Sequence, residues 1–258
     1  MTYNTPSTAY LKVLHDVLTY PDFLSAPRGQ PIHECMYYQF SVAHPTSVPI
    51  ETRDSERNLV IAEYTKAEFD LYARGCTTAD DFAKASSFWD KLKNPDGTVN
   101  SAYGHLIWFD RSCGDPEMEC PGSNHDLLAE NFALRTPWEW ARLALMEDKD
   151  SRQAIVKFHK RSHLWRGCKD QTCTMYLIFH IRDDALHLLA RMRSNDVVLG
   201  LVYDMPFFIS LQERMLRELR SKSYPHLDLG TYTHSADSMH LYDRNIPEVH
   251  KMLGDGYG

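Results

Sequence analysis

Long apolar runs are missing from this chain. No uninterrupted stretch approaches the ~20 apolar residues that a membrane-spanning helix requires, so a helical membrane protein is not expected. The first residues, MTYNTPSTAYLKVLHDV, carry neither a basic leader nor an apolar core, so no signal peptide is read there and a cytoplasmic location is expected. Positive charge is in deficit: 28 Lys and Arg stand against 35 Asp and Glu, a net charge of −7. Without a basic excess, direct nucleic-acid binding is not expected. Internal repeats and low-complexity segments are absent too. Cysteine is sparse, with thiols at 35, 76, 113, 120, 168 and 173, and the pairs C-x6-C and C-x4-C lack the spacing of a common zinc knuckle. His105, His125, His159 and His163 are scattered and add no ligand pattern, so no metal is expected.

What remains is an ordinary globular composition, 43% hydrophobic and 24% charged over 258 residues. That length suits one large core, and no linker interrupts it, so residues 1–258 are read as a single domain. Ser7 is placed to cap a first helix with Leu11, Leu14, Val17 and Leu18 on one face, and Pro21 ends it. ECMYYQFSV alternates like a strand. RNLVIAEYTKAEFDLYARG reads as a helix closed by Gly75, and TADDFAKASSFWDKL as a second, stopped by the turn NPDG. A polar segment follows at 111–125, and then TPWEWARLALME, a helix with Pro137 at its start. RQAIVKFH, CTMYLIFHI and ALHLLARM read as successive strands, FFISLQERMLRELRS as an amphipathic helix, and LDLGTYTHS and SMHLYD as two final strands. Helices and strands mix without strict βαβ alternation, so the fold class is α+β.

Several residues could carry chemistry, and each has a plainer reading. Cys173 heads an apolar strand. It is either a buried packing thiol or a nucleophile, and a nucleophile needs a nearby positive charge to hold its thiolate. Arg193 and Ser194 make a planar fork beside a small donor, good phosphate chemistry, with Asp196 close behind; the alternative is a solvated strand end. Asp204 is a lone acid ahead of the amphipathic helix. Glu68 shares a helix face with Tyr64 and Tyr72; if buried, its pKa rises and it can move protons near neutral pH. His240 and Tyr242 point to one side of a strand and suit a sugar hydroxyl or a sheet edge. Trp89, Tyr103 and Trp108 are core or a stacking wall.

Taken together these residues resemble the thymidylate synthase superfamily, over most of the chain from Arg28 to Tyr242. DSRQAIV resembles its phosphate segment, Cys173 stands at its catalytic cysteine, and RSND with Gly200 and Asp204 resembles its Arg-Ser-x-Asp motif and the positions after it. SMHLY resembles its His-x-Tyr motif, and FWDKL, NPDG and AYG its Trp to Tyr-Gly segment. Cys173 and Arg193 also stand 20 positions apart, as in the family. Two departures are informative. Asp204 stands where the synthases have Asn, and Thr174 where they have His; both, with MRSNDVV, resemble the deoxycytidylate hydroxymethylase branch of T-even-type phages, which suggests a phage source.

The resemblance implies a mixed twisted sheet packed with helices, and a homodimer joined sheet to sheet. It implies Cys173, Glu68, Asp204 and Tyr103 as catalytic residues, with Glu63 the alternative to Glu68. Arg28, Arg193 and Ser194 are implied to hold the substrate phosphate, with Arg152 reaching the partner's phosphate beside a Gln153 that replaces a second Arg. His240 and Tyr242 would take the sugar, Asp196 the substrate and folate, and Trp89 and Gly200 the folate. Asp204 has a physical reading of its own. Uracil offers an N3–H donor and an O4 acceptor, which an amide matches; cytosine offers an N3 acceptor and an amino donor, which a protonated carboxyl matches, as does an ionised carboxyl against N3-protonated cytosine. The implied reaction is one-carbon transfer from 5,10-methylenetetrahydrofolate to C5 of dCMP, with water giving 5-hydroxymethyl-dCMP. A dCMP methyltransferase and an enzyme acting on CMP stay open, as does a catalytically dead relative that binds nucleotide or RNA, or a zinc-stapled module built on residues 111–122.

Overall fold

A computed structural model describes residues 1–110 and 135–254, so the polar segment with Cys113, Cys120 and His125 lies outside the described residues. The chain opens with β1 (Thr2–Tyr3) and α1 (Pro6–Thr19), whose Ala9, Tyr10, Val13, Leu14 and Val17 form a buried stripe. Thr5, not Ser7, caps α1: its side chain accepts from the Thr8 backbone N–H, and Pro6 opens the first turn. β2 (Phe23–Ser25) and β3 (Ile32–Val42) follow. In α2 (Ser55–Ala73), Ile61, Thr65, Glu68 and Tyr72 repeat on one face, so Glu68 is a carboxyl on the core-facing stripe.

The segment TADDFAKASSFWDKL is not one helix. It divides into α3 (Ala79–Ala83) and a separate 3₁₀ turn at Ser87–Leu92, because extended Ser86 caps the new turn with its own side chain. Next come α4 (Tyr103–Trp108) and α5 (Pro137–Glu147), the latter closed by a capping box between Thr136 and Glu139. β4 (Ile155–Lys157), β5 (Thr174–Arg182), β6 (Ala185–Met192) and β7 (Asn195–Asp196) lead into α6 (Leu201–Lys222). α6 begins before the amphipathic segment read from sequence and contains Pro206, so Asp204 sits inside its first turn rather than ahead of it. The two expected final strands are one, β8 (Asp228–Tyr242), before α7 (Ile246–Leu253).

Among the described residues all eight strands join one mixed sheet in the order β1-β3-β8-β6-β5-β4, with β2 on β3 and β7 on β8. β8 is long enough to pair with β6 along its first part and with β7 beyond it. α6 covers one face through buried Met205, Phe208, Leu211, Met215 and Leu219. Buried Gln212 donates from Nε2 to the carbonyls of Leu186 (2.8 Å) and Gly230 (3.1 Å), where the β6–β8 register slips. The other face carries half-buried side chains, among them Tyr176, Ile178, His187, Leu189, Arg191 and Thr233. Expected α+β architecture and the observed mixed sheet with helices agree. Among the described residues no helix is long and apolar enough to cross a membrane.

Candidate active site

The β5–β6 hairpin turns at Asp183 and Asp184, both with positive φ, the backbone of a tight hairpin turn. Pairing runs Arg182 to Ala185, Phe179 to Leu188 and Tyr176 to Arg191. An irregularity between Thr174 and Tyr176 then shifts the register by one residue, so Thr174 meets Met192. This slip sets Cys173 against Arg193: the Arg193 N–H donates to the Cys173 carbonyl at 2.9 Å. The guanidinium folds over the same loop, giving Nε to Thr172 O (3.1 Å) and Nη2 to Gln171 O (2.7 Å), with Nη2 also 3.6 Å from Cys173 Sγ. Burial pushes the Cys173 thiol up and the Arg193 charge opposes it.

Two residues further on, β7 enters beside β8 and pairs Asp196 with His240. RSND and SMHLY, far apart in sequence, are therefore adjacent. Ser194 Oγ lies 3.4 Å from His240 Nδ1. Asp196 uses Oδ1 to accept from the backbone N–H of Val198 (2.7 Å) and Leu199 (3.0 Å), which shapes the entry to α6. Burial raises its pKa, with His240 acting against that. At Gly200 a Cβ would fall 2.7 Å from Asn195 Nδ2 and 2.9 Å from Asp196 O, so this position admits only glycine without rearrangement. Beneath it Asn195 Nδ2 donates to Asp204 Oδ2 at 2.8 Å. Burial pushes the Asp204 carboxyl up to about 7, despite that hydrogen bond.

α2 supplies a second carboxyl. Glu68 is 7% exposed and pushed up to about 8, by burial first and then by the charge of Asp204. Tyr64 donates to its Oε1 at 3.0 Å, and Trp89 Nε1 donates to the Tyr64 oxygen at 3.0 Å. Glu63, the alternative in sequence, is exposed on another face of α2. Tyr103, at the start of α4, stacks on Tyr72 with 5.8 Å between centroids, and Gly104 lets α4 touch the α2 backbone, where a Cβ would overlap Tyr72 O. The phenol oxygen of Tyr103 accepts from Thr174 Oγ1 (2.9 Å) and the Thr174 N–H (3.3 Å). Thus Thr174, next to Cys173, is tied to Tyr103.

Other expected residues lie further out. Arg28 is exposed in the turn between β2 and β3, and among the described residues its side chain makes no hydrogen bond or ion pair. Tyr242 pairs with Ile32 at that same end of the sheet and packs under Arg244 at 4.0 Å. Arg152 precedes β4 at the opposite end of the hairpin from Cys173, separated by the length of β5, roughly 25–30 Å. It therefore does not join this chain's Cys173 and Arg193. Trp108 is not beside the thiol either; it lies under Arg214, 4.6 Å from its ring centre, and against Trp138. Among the described residues no group of three His, Cys, Asp or Glu side chains could hold a metal ion.

Sequence reasoning missed three buried polar residues behind Asp204. His234 Nε2 lies 3.0 Å from Asn195 Oδ1, and Tyr232 Oη lies 2.7 Å from His234 Nδ1. Their signal was present: Tyr232 and His234 alternate on the core face of β8, where polar groups need partners. Asp170 was missed too; it accepts from the Ser101 N–H at 2.7 Å and ties the approach to Cys173 to the segment before Tyr103.

Comparison with known proteins fits this arrangement. The chain is 24% identical over 190 residues to deoxycytidylate 5-hydroxymethyltransferase of Enterobacteria phage T4, covering 71% of this chain and 68% of that protein. It is 24% identical over 161 residues to thymidylate synthase 1 of Bacillus spizizenii, covering 62% of this chain and 50% of that one. Its fold matches thermostable thymidylate synthase A from Bacillus subtilis with a TM-score of 0.67 at 18% identity, over 96% of this chain and 84% of that one. The thymidylate synthase family model matches residues 8–255, and the chain belongs to the thymidylate synthase family.

Proposed function

We propose that this protein transfers a one-carbon unit from 5,10-methylenetetrahydrofolate to C5 of dCMP and, with water, makes 5-hydroxymethyl-dCMP. The observation that carries this reading is Asp204. Its carboxyl is pushed to about 7, so near neutral pH a large share holds its proton. The acid can donate to cytosine N3 while its other oxygen accepts from the amino group; uracil reverses both partners. Similarity to the phage T4 hydroxymethyltransferase points the same way.

In this reading the Cys173 thiolate adds to C6 and makes C5 nucleophilic toward the one-carbon unit, which the folate supplies. Arg193 stabilises the thiolate against the burial that opposes it and, with Ser194 and Arg28, takes the 5′-phosphate. Glu68, raised to about 8, exchanges protons with the base and with water. Tyr103 has its oxygen occupied by Thr174, leaving its own O–H to orient a water near C5. His240 takes the sugar 3′-hydroxyl, with Tyr242 alongside. Trp89, whose indole N–H is engaged by Tyr64, offers a wall for the folate, and Asp196 and Gly200 shape the entry beside it. Loss of the C5 proton and release of tetrahydrofolate leave an exocyclic methylene at C5; water adds to it, giving up a proton, and the sulfur leaves C6 as the C5–C6 double bond re-forms, which gives the hydroxymethyl product. The half-buried sheet face and the placement of Arg152 at the far end of β5 fit a sheet-to-sheet homodimer, in which Arg152 serves the partner's phosphate.

The test is covalent trapping. Incubation with 5-fluoro-dCMP and methylenetetrahydrofolate should add both to the protein mass, on a peptide containing Cys173, and Cys173→Ser should lose the adduct while still binding dCMP. An adduct on another residue, or unaltered turnover in Cys173→Ser, would refute the mechanism.

A further inference from the structure

Behind Asp204 stands a line of buried hydrogen bonds that the proposed chemistry does not use directly. Tyr232 and His234 are 0% exposed and Asn195 is 3% exposed. The line runs from Tyr232 Oη to His234 Nδ1 (2.7 Å), from His234 Nε2 to Asn195 Oδ1 (3.0 Å), and from Asn195 Nδ2 to Asp204 Oδ2 (2.8 Å). The His234 ring is held between aromatic faces, with the Phe40 centroid at 5.4 Å and Phe208 at 6.5 Å. Gly200 closes over the last contact, where a Cβ would sit 3.3 Å from Asp204 Oδ2.

The polarity of this line follows from its end. Asn195 turns its NH₂ toward Oδ2 of Asp204 and its carbonyl toward His234, and an oxygen that carries no proton only accepts. Burial drives the His234 pKa down to about 3, so the ring is neutral and carries one N–H. That N–H sits on Nε2 and donates to Asn195; Nδ1 then accepts from the Tyr232 hydroxyl. Every donor in the line points toward Oδ2 of Asp204.

We propose that Asn195, oriented by His234 and Tyr232, is a specificity-determining positioning residue that keeps Oδ2 of Asp204 an acceptor and leaves Oδ1 to carry the proton offered to the pyrimidine N3. The inference rests on the reading of Asp204 as the group that meets the base. With the proton on Oδ1, cytosine is matched: Oδ1–H donates to N3 and Oδ2 accepts from the amino group. Uracil would require the proton on Oδ2, the oxygen at which the Asn195 N–H is already aimed. The relay therefore biases the site against uracil from behind. A simple carboxyl could place its proton on either oxygen.

Other ionisable groups around Asp204 are Glu68 and Tyr72 on α2, Tyr103 on α4, Cys173 before β5, Asp196 on β7 and Tyr232 on β8. A residue-specific readout separates Asp204 from them: carboxyl ¹³C NMR of the full chain labelled in Asp, its resonance identified by its loss in Asp204→Asn. In Asn195→Ala the Asp204 carboxylate loses its donor, so its pKa should rise above the wild-type value. The kcat/KM ratio for dCMP over dUMP should fall about ten- to a hundredfold, the size of one hydrogen bond to a charged group, chiefly through KM for dCMP. His234→Phe keeps the stacking and should reproduce both changes, whereas His234→Gln keeps an N–H near Nε2 and should restore both toward wild type. Should Asn195→Ala fail to fold, Asn195→Ser gives the same readings. An unchanged or lowered Asp204 pKa in the Asn195 variants overturns the polarity, and a raised pKa with unchanged base preference overturns the specificity role. Wild-type preference for dUMP would instead defeat the reading of Asp204 and the specificity role with it, while the carboxyl titration would still decide the polarity.

Discussion

Glu68 on α2 and Asp204 on α6 are both carboxyls pushed upward by burial, yet their partners differ in kind. Glu68 receives a hydrogen bond from Tyr64, which is itself held by Trp89. A phenol can donate or accept, so this partner adapts when the carboxyl gains or loses its proton. Asp204 receives its bond from Asn195, an amide whose other end is fixed by His234. An amide has distinct donor and acceptor ends and cannot adapt without turning over. In the proposed function, two carboxyls raised by burial thus take different work, one to move protons and one to present a fixed pattern to a base. The lesson is that the second partner, rather than the raised pKa, separates a proton carrier from a reader.

Substitution at each carboxyl breaks the comparison from opposite sides. Glu68→Gln should lower turnover by about 10²–10⁴, the scale of a lost general acid–base group, while equilibrium dCMP binding stays measurable. Stopped-flow turnover and nucleotide titration check this; equal loss of binding would place Glu68 in recognition instead. Asp204→Asn should shift preference from dCMP toward dUMP by about a hundredfold, read as a ratio of kcat/KM values. Tyr64→Phe is a smaller perturbation. It removes a bond that lowers the Glu68 pKa, so the pH limb governed by Glu68 should move upward from about 8, with turnover at its new optimum within about tenfold of wild type.

The smallest effect is on stability. The folded pKa values, about 8 for Glu68 and about 7 for Asp204, lie above their ordinary values of 4.5 and 3.8. Between those limits the folded state binds more protons than the unfolded state, so both groups make stability fall as pH rises through the window. Replacing Asp204 by Asn removes its share. Asp204→Asn should therefore melt a few degrees above wild type at pH 9, about 1–2 kcal/mol, with the difference vanishing near pH 4. Thermal denaturation at the two pH values reads it directly, and equal melting at pH 9 would mean that Asp204 is not penalised by burial.

The parts legible in sequence are those governed by local pattern. Cys173 and Arg193 face each other because they sit at the two ends of one hairpin, and the stripe through Ile61, Thr65, Glu68 and Tyr72 marks Glu68 as inward-facing. Elements were misread where a single side chain overrides a run. Ser86 starts a new turn within an apparent helix, and Pro206 disguises the beginning of α6. β8 was read as two strands because the small and polar run Ser235, Ala236, Asp237 and Ser238 falls in its middle. The relay behind Asp204 was not legible at all. It joins residues brought together by β7 lying parallel to β8, a pairing that no local period announces. Arg28 and Arg152 are the converse case: the resemblance points to them, while in a single chain both are exposed and Arg152 lies at the far end of β5 from Cys173.

The most direct test of the account is the mass of the nucleotide made from dCMP and methylenetetrahydrofolate. A gain of CH₂O with tetrahydrofolate released is the predicted result, since water then completes the reaction at C5. A gain of CH₂ with dihydrofolate would identify a methyltransferase, and no reaction with dCMP alongside turnover of dUMP would contradict the reading of Asp204 on which the account depends.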